Sequence, residues 1–123
     1  MKRFQFVVTA PILGYRQTTK KGMFHPDERD RSKAYGAYKE KVRILAVAAG
    51  LRCDGRAEKE RPPRLSVEVF WRKEPEVDWK NVYGAVEDAI WYIWDRHVIP
   101  GKKSDVHWDT GEEDRLLVTV ELP

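Results

Sequence analysis

One apolar stripe constrains this chain more than any other feature. Val82, Ala85, Val86, Ala89, Ile90, Ile93 and Trp94 recur at i, i+3, i+4, i+7, i+8, i+11 and i+12, the spacing of a helix that buries one face. Asp78 stands just before the stripe, where a short acceptor side chain caps free backbone N–H groups. Glu76 lies two residues earlier, at the end of an extended run. Two carboxylates thus arrive at one strand-to-helix junction. They are either a cap with a solvated neighbour or half of a divalent-metal site.

A chain of 123 residues suits one domain with one core, here residues 1–123. Hydrophobic content of 41% with five Trp supports a packed interior and argues against disorder. No apolar run is long enough to span a bilayer, and no secretory pattern opens the sequence. Cys53 is the only cysteine, so no internal disulfide forms, and a reducing cytoplasm is the expected location. Charge is unevenly spread. Residues 1–72 carry 17 Lys and Arg against 8 Asp and Glu, whereas residues 73–123 carry 6 against 12. A protein that grips a polyanion with one half and gathers metal ions with the other has this distribution. Two halves that pack together and neutralise each other have it too.

Lys2–Ala10 reads as a first strand ending at Pro11. Ile12–Arg31 shows no period and is rich in cations, including Arg16, Lys20, Lys21, Arg29 and Arg31, so it reads as a long basic loop. Such a loop is either a DNA clamp or simply solvated. Ser32 caps a helix from about Lys33 to Ala49 whose buried face is Tyr35, Tyr38, Val42, Leu45, Ala46 and Ala49. Gly50 supplies its left-handed stop and Leu51 the contact after it. A charged linker to Arg64 follows. Leu65–Arg72 alternates as a strand. Beyond the second helix, which the pattern carries to about Asp95 or Arg96, Val98–Ser104 reads as a turn. Asp105–Asp109 reads as a short strand, Thr110–Asp114 as a polar hairpin and Arg115–Leu122 as the last strand. The expected architecture is α+β, β-α-β-α-β-β, with a small mixed sheet carrying both helices on one face.

No phosphate-binding glycine loop, dinucleotide fingerprint or nucleophile elbow occurs. His25, His97 and His107 lack metal-ligand spacing. Trp71, Trp91, Trp94 and Trp108 fall mostly at positions expected in the core. Trp79, beside the carboxylates, serves either as a wedge against a nucleotide or as a staple for the helix start, and the staple is favoured.

Taken together, these pieces resemble the RusA-like Holliday-junction resolvases, small homodimeric magnesium-dependent endodeoxyribonucleases. The resemblance covers nearly the whole chain. Gly22-Met23-Phe24-His25-Pro26 is similar to the family's Gly-x-x-x-Pro step, and Lys33–Glu40 to its first helix. The family signature is Asp-x-Asp-Asn opening a helix that bears Lys and then Asp-Ala-Leu, followed by a turn with Asp-Asp-Ser-Gln-Val. Glu76-Val77-Asp78 answers the Asp-x-Asp, with Glu in the first place. Trp79-Lys80 resembles an insertion before Asn81, and Asp88-Ala89-Ile90 answers Asp-Ala-Leu. The helical Lys falls on Gly84, with Lys80 one turn earlier. In the turn, Lys102-Lys103 stands where the family has two acids, while Ser104 and Val106 keep register.

The resemblance implies an endonuclease on Holliday junctions or other branched DNA, working as a homodimer with Mg2+ (Mn2+ as substitute). It implies Glu76, Asp78, Asp88 and Asp105 as metal ligands, with Lys80 stabilising charge on the phosphate. It also casts Arg16, Lys20, Lys21, Lys102 and Lys103 as DNA contacts. Two lysines in place of two carboxylates repel a second cation and attract phosphate directly. A fold-mate that binds DNA without cutting it is therefore the alternative, and a protein-assembly subunit that never meets DNA is a third.

Overall fold

Strand alternation builds the sheet. Leu65, Val67, Val69 and Trp71 are buried, whereas Arg64, Ser66, Glu68 and Phe70 between them are not. The same period runs through Phe6 and Val8, and through Leu116, Val118 and Val120. The computed structural model describes residues 2–15, 26–51, 63–90, 99–100 and 106–122. In chain order it forms β1 (Lys2–Thr9), α1 (Pro26–Ala48), β2 (Arg64–Phe70), α2 (Trp79–Ile90), β3 (Ile99–Pro100), β4 (Val106–His107) and β5 (Arg115–Leu122). The fold is α+β, as expected.

β5 lies between β1 and β2 and is antiparallel to both, with Phe6 opposite Val118 and Val67 opposite the same residue. β3 and β4 share the far edge of β2, both parallel to it, at Arg64–Leu65 and Val69–Phe70 respectively. A parallel neighbour requires a crossover, and α2 lies on that crossover. Both helices cover one face of the sheet. Tyr35, Tyr38, Val42 and Ala46 of α1 meet Val82, Ala85, Val86, Ala89 and Ile90 of α2 in one core with the inward strand residues. The stripe is buried as its period predicts over the described part of α2; Ile93, Trp94 and the helix end lie outside the described residues. Among the described residues no helix is long and apolar enough to cross a membrane.

α1 ends as expected. Gly50 adopts φ 99°, its N–H donates to Val47 O (2.9 Å), and the N–H of buried Leu51 donates to Ala46 O (3.0 Å). That pair of bonds satisfies the last carbonyls of the helix. Its start differs from expectation: the helix begins at Pro26, within the stretch read as loop. Proline suits the first helical position because no N–H is needed there. The early turns bear polar residues with no stripe, so no period announces them.

The segment after β4 also differs. It is not a hairpin joining paired strands, because β4 and β5 lie on opposite sides of β2. The chain instead passes round the end of β2. Trp71 N–H donates to His107 O (2.8 Å), Asp109 N–H to Lys73 O (2.6 Å) and Gly111 N–H to Arg72 O (3.2 Å). Left-handed residues at Asp109 (φ 52°) and Gly111 (φ 72°) turn the chain there. Trp108 on this bend is 62% exposed, outside the core in which most of the tryptophans were expected. Ile99–Pro100, read as part of a turn, forms β3.

Tyr38 links the core to alkaline stability. Burial pushes its phenol from the ordinary 10.0 up to about 12, against a smaller lowering pull from the Leu13 backbone, and burial with Glu87 nearby raises Tyr83 in the same direction. A raised acid stabilises the fold fully below pH 10, and that stability is lost as pH climbs from 10 towards 12. Urea unfolding across that window should show the loss, up to about 1.4 kcal/mol per pH unit for one such group. Tyr38→Phe should remove its share of the slope while changing stability at pH 7 little.

Candidate functional site

β2 ends beside Trp71, and the chain reaches α2 through Arg72–Asp78. The Asp78 carbonyl accepts the N–H groups of Asn81 (2.9 Å) and Val82 (3.0 Å), which makes Asp78 the residue that opens α2. The side chains of Glu76, Asp78 and Lys80 are all exposed at this junction. Trp79, the first helical residue, donates from Nε1 to Val67 O (3.2 Å) and stacks on Tyr83 (5.2 Å between centroids, 28°). That donor reaches β2 between the pairings with β3 and β4, at Ser66–Glu68, where neither short strand bonds to it. Trp79 is the staple, fastening the helix start to the sheet.

An arm from the N-terminus closes on the same junction. Tyr15 N–H donates to Asn81 O at 2.7 Å. A Cβ on Gly14 would stand 2.7 Å from Val77 Cγ1 and 3.2 Å from Asn81 Cβ, and one on Gly84 would stand 3.1 Å from Tyr15 Cβ. A side chain at Gly14 would force the arm or Val77 to shift, and one at Gly84 would press on Tyr15, so both glycines let the arm lie close to α2. Gly84 therefore serves packing here. Arg16 follows Tyr15 directly in sequence, so the basic stretch leaves the described structure beside Asn81. Arg16, Lys20 and Lys21 themselves lie outside the described residues, as do Lys102, Lys103 and Asp105.

Asp88 belongs to a different cluster. Its Oδ2 accepts the Tyr35 hydroxyl (2.9 Å) and pairs with Lys39 Nζ (3.2 Å), whose ammonium also lies 5.0 Å from the Tyr35 ring centroid. Arg43 Nε donates to Ala89 O (3.1 Å) alongside. These contacts tie α1 to α2. Ten positions of helix separate Asp88 from Asp78, about 15 Å along the axis. That is too far for one cation to be shared, so Asp88 does not join Glu76 and Asp78 as a ligand. Among the described residues no three His, Cys, Asp or Glu side chains converge on a metal position. Glu76 and Asp78 remain as the candidate pair. Mg2+ sites commonly take one or two protein carboxylates and complete the shell with water and substrate phosphate.

Two further features escaped the sequence. A cavity of about 250 Å³ opens between the arm and α1, lined by Leu13, Gly14, Tyr15, Arg31, Ala34 and Tyr35. On the uncovered face of the sheet, Phe70 lies between the stacked His107 ring (4.6 Å, 12°) and the Arg115 guanidinium (4.4 Å). His107 Nε2 is 2.6 Å from Glu68 Oε1. A shallower hollow of about 210 Å³ on that face is lined by Arg3, Gln5, Ser66, Glu68, Leu117, Thr119 and Glu121. Cross-strand register sets Glu121 between Arg3 and Arg64, so charge on this face is largely self-compensated. The glycine at mid-helix was the available signal for the arm, since glycine there is disfavoured unless something packs on it. No protein-family model matches the chain, and no curated protein is similar enough to count as a relative.

Proposed function

We propose that this chain binds branched DNA, such as a Holliday junction, as a homodimer with a RusA-like fold. The observation that carries the reading is the 2.7 Å bond from Tyr15 N–H to Asn81 O. It holds Tyr15 against the junction bearing Glu76 and Asp78, and Arg16 is the next residue in the sequence, with Lys20 and Lys21 soon after. Arg31, exposed on α1, lines the cavity beside Tyr15 and adds a cation there. A two-fold dimer matches the symmetry of a four-way junction, as dimeric DNA-binding proteins match palindromic sites. The single cysteine suits work on DNA in the cytoplasm.

Cleavage is the second reading, favoured by the exposed Glu76 and Asp78 pair. Mg2+, or Mn2+ in its place, would polarise the scissile phosphate and activate water. Glu76 and Asp78 would hold it, and Lys80 would offer its ammonium to the phosphate oxygens. If cleavage is absent, Lys102 and Lys103 act as plain phosphate contacts.

Fluorescence anisotropy with a labelled four-way junction and a matched linear duplex tests the first reading. The junction should bind more tightly, and log K should fall with log salt by about 0.9 for each phosphate contacted on duplex arms. No binding to either DNA at low salt means the reading is wrong. For the second, Asp78→Asn should cut Mg2+-dependent cleavage by more than the 10- to 100-fold that losing a ligand's outer-shell partner costs. Junction affinity should stay nearly unchanged. Equal cleavage by the variant would remove Asp78 from the chemistry.

A further inference from the structure

We infer that the cavity between the arm and α1 receives one unstacked nucleobase, with Tyr15 as its stacking face. This rests on the DNA-binding reading and specifies where branched DNA is told from duplex. At about 250 Å³ the cavity falls below the roughly 300–1,000 Å³ of pockets for drug-sized ligands, a size that suits a single planar group. Leu13, Ala34 and the two tyrosines make its walls mainly apolar and aromatic, with Arg31 as the cation among them. A nucleobase attached to its phosphate has the matching chemistry, a flat π-face beside an anion. Arginine can meet it through either part, by stacking or by a forked hydrogen bond.

Tyr15 is held in place yet left uncovered. Its backbone N–H is fixed to Asn81, its Cβ sits against Gly84, and its ring meets Tyr35 edge-on (6.3 Å, 86°). Even so, the residue is 46% exposed. An aromatic ring already immobilised loses little freedom when a base stacks on it. Stacking of this kind accepts every base, so it reads the availability of a base and not its identity. Branch points and single strands offer such bases; an intact duplex does not. The hollow on the open sheet face is a poorer choice, because no aromatic ring lines it for a base to stack on and its one cation, Arg3, is matched by Glu68 and Glu121.

The test measures binding of the full chain to three labelled DNAs: a four-way junction, a single strand and a linear duplex. Tyr15→Ala should weaken junction and single-strand binding by about 5- to 150-fold, the range seen for loss of a base-stacking aromatic, and leave duplex binding alone. Tyr15→Trp should restore it. Abasic nucleotides at the branch should weaken the native protein by a similar factor and have no further effect on Tyr15→Ala. If the native protein binds junctions and Tyr15→Ala binds them equally well, the cavity assignment falls while the DNA reading stands. A uniform loss on all three DNAs that Tyr15→Trp does not rescue is a structural defect and also overturns it. If the native protein binds no DNA, the parent reading falls and takes the cavity with it.

Discussion

Trp71→Ala should destabilise the fold by about 3–5 kcal/mol, the usual cost of emptying a buried indole site. Trp71 is only 1% exposed and ranks among the largest fully buried side chains. It stands where β2 stops, and the backbone there is used from both directions. Its N–H donates to His107 O, and its own carbonyl accepts the Thr110 N–H (3.2 Å) and hydroxyl (3.0 Å). A cavity at this point loosens the bend that carries the chain from β4 to β5, and β5 is the centre of the sheet. Trp71→Phe should cost much less. The Trp71 Nε1 is buried with no hydrogen-bond partner among the described residues, so phenylalanine removes an orphan donor while keeping most of the ring. Urea denaturation of the two variants gives both numbers. Equal losses would show that the indole is not packed as described.

The second large effect joins structure to function. Gly14→Ala puts a methyl group 2.7 Å from Val77 Cγ1 and 3.2 Å from Asn81 Cβ. Valine is stiff about χ1 and cannot swing aside freely. The expected cost is about 1–3 kcal/mol of stability through overpacking, or else displacement of the arm. In either case the Tyr15–Asn81 bond suffers, and Tyr15 loses its fixed place beside α2. Junction affinity should therefore drop at temperatures where circular dichroism shows the variant still folded. An alanine variant of native stability and native affinity would mean that the arm is not clamped as the contact implies. Gly36→Ala is the matching control, since a Cβ there meets nothing within 4 Å.

What could be read from the chain follows from where burial writes a period. α2 and the three long strands each bury one face, so Val82–Ile90 and Leu116–Val120 announce themselves by spacing. Gly50-Leu51 announces the end of α1 because the left-handed stop has a residue preference of its own. The first turns of α1 have no such signature, since polar residues there bear no stripe. β3 and β4 pair over two residues each, too short a span for alternation to register. That β5 inserts between β1 and β2 is a long-range choice, and nothing local distinguishes it from a hairpin with β4.

The site divides the same way. Asp78 was legible as the residue that opens α2 because a helix start has a grammar, and the separation of Asp88 from Asp78 follows from helical rise alone. Grouping Asp88 with them by family resemblance overlooked that rise, and the pairing with Tyr35 and Lys39 shows what the residue does instead. The arm was hidden. Gly14 and Gly84 lie seventy positions apart, and only the folded chain reveals that one admits Val77 and the other Tyr15.

Hydrogen–deuterium exchange of the full chain, with and without a four-way junction, tells whether DNA meets the arm and the α2 junction or the open sheet face. Bound DNA should slow exchange at residues 13–15, 29–35 and 76–81, where arm, α1 and carboxylate junction meet, and leave the strands around Arg3, Ser66 and Thr119 unchanged. Slowed exchange confined to the open sheet face, with the arm and junction unaffected, would contradict the account.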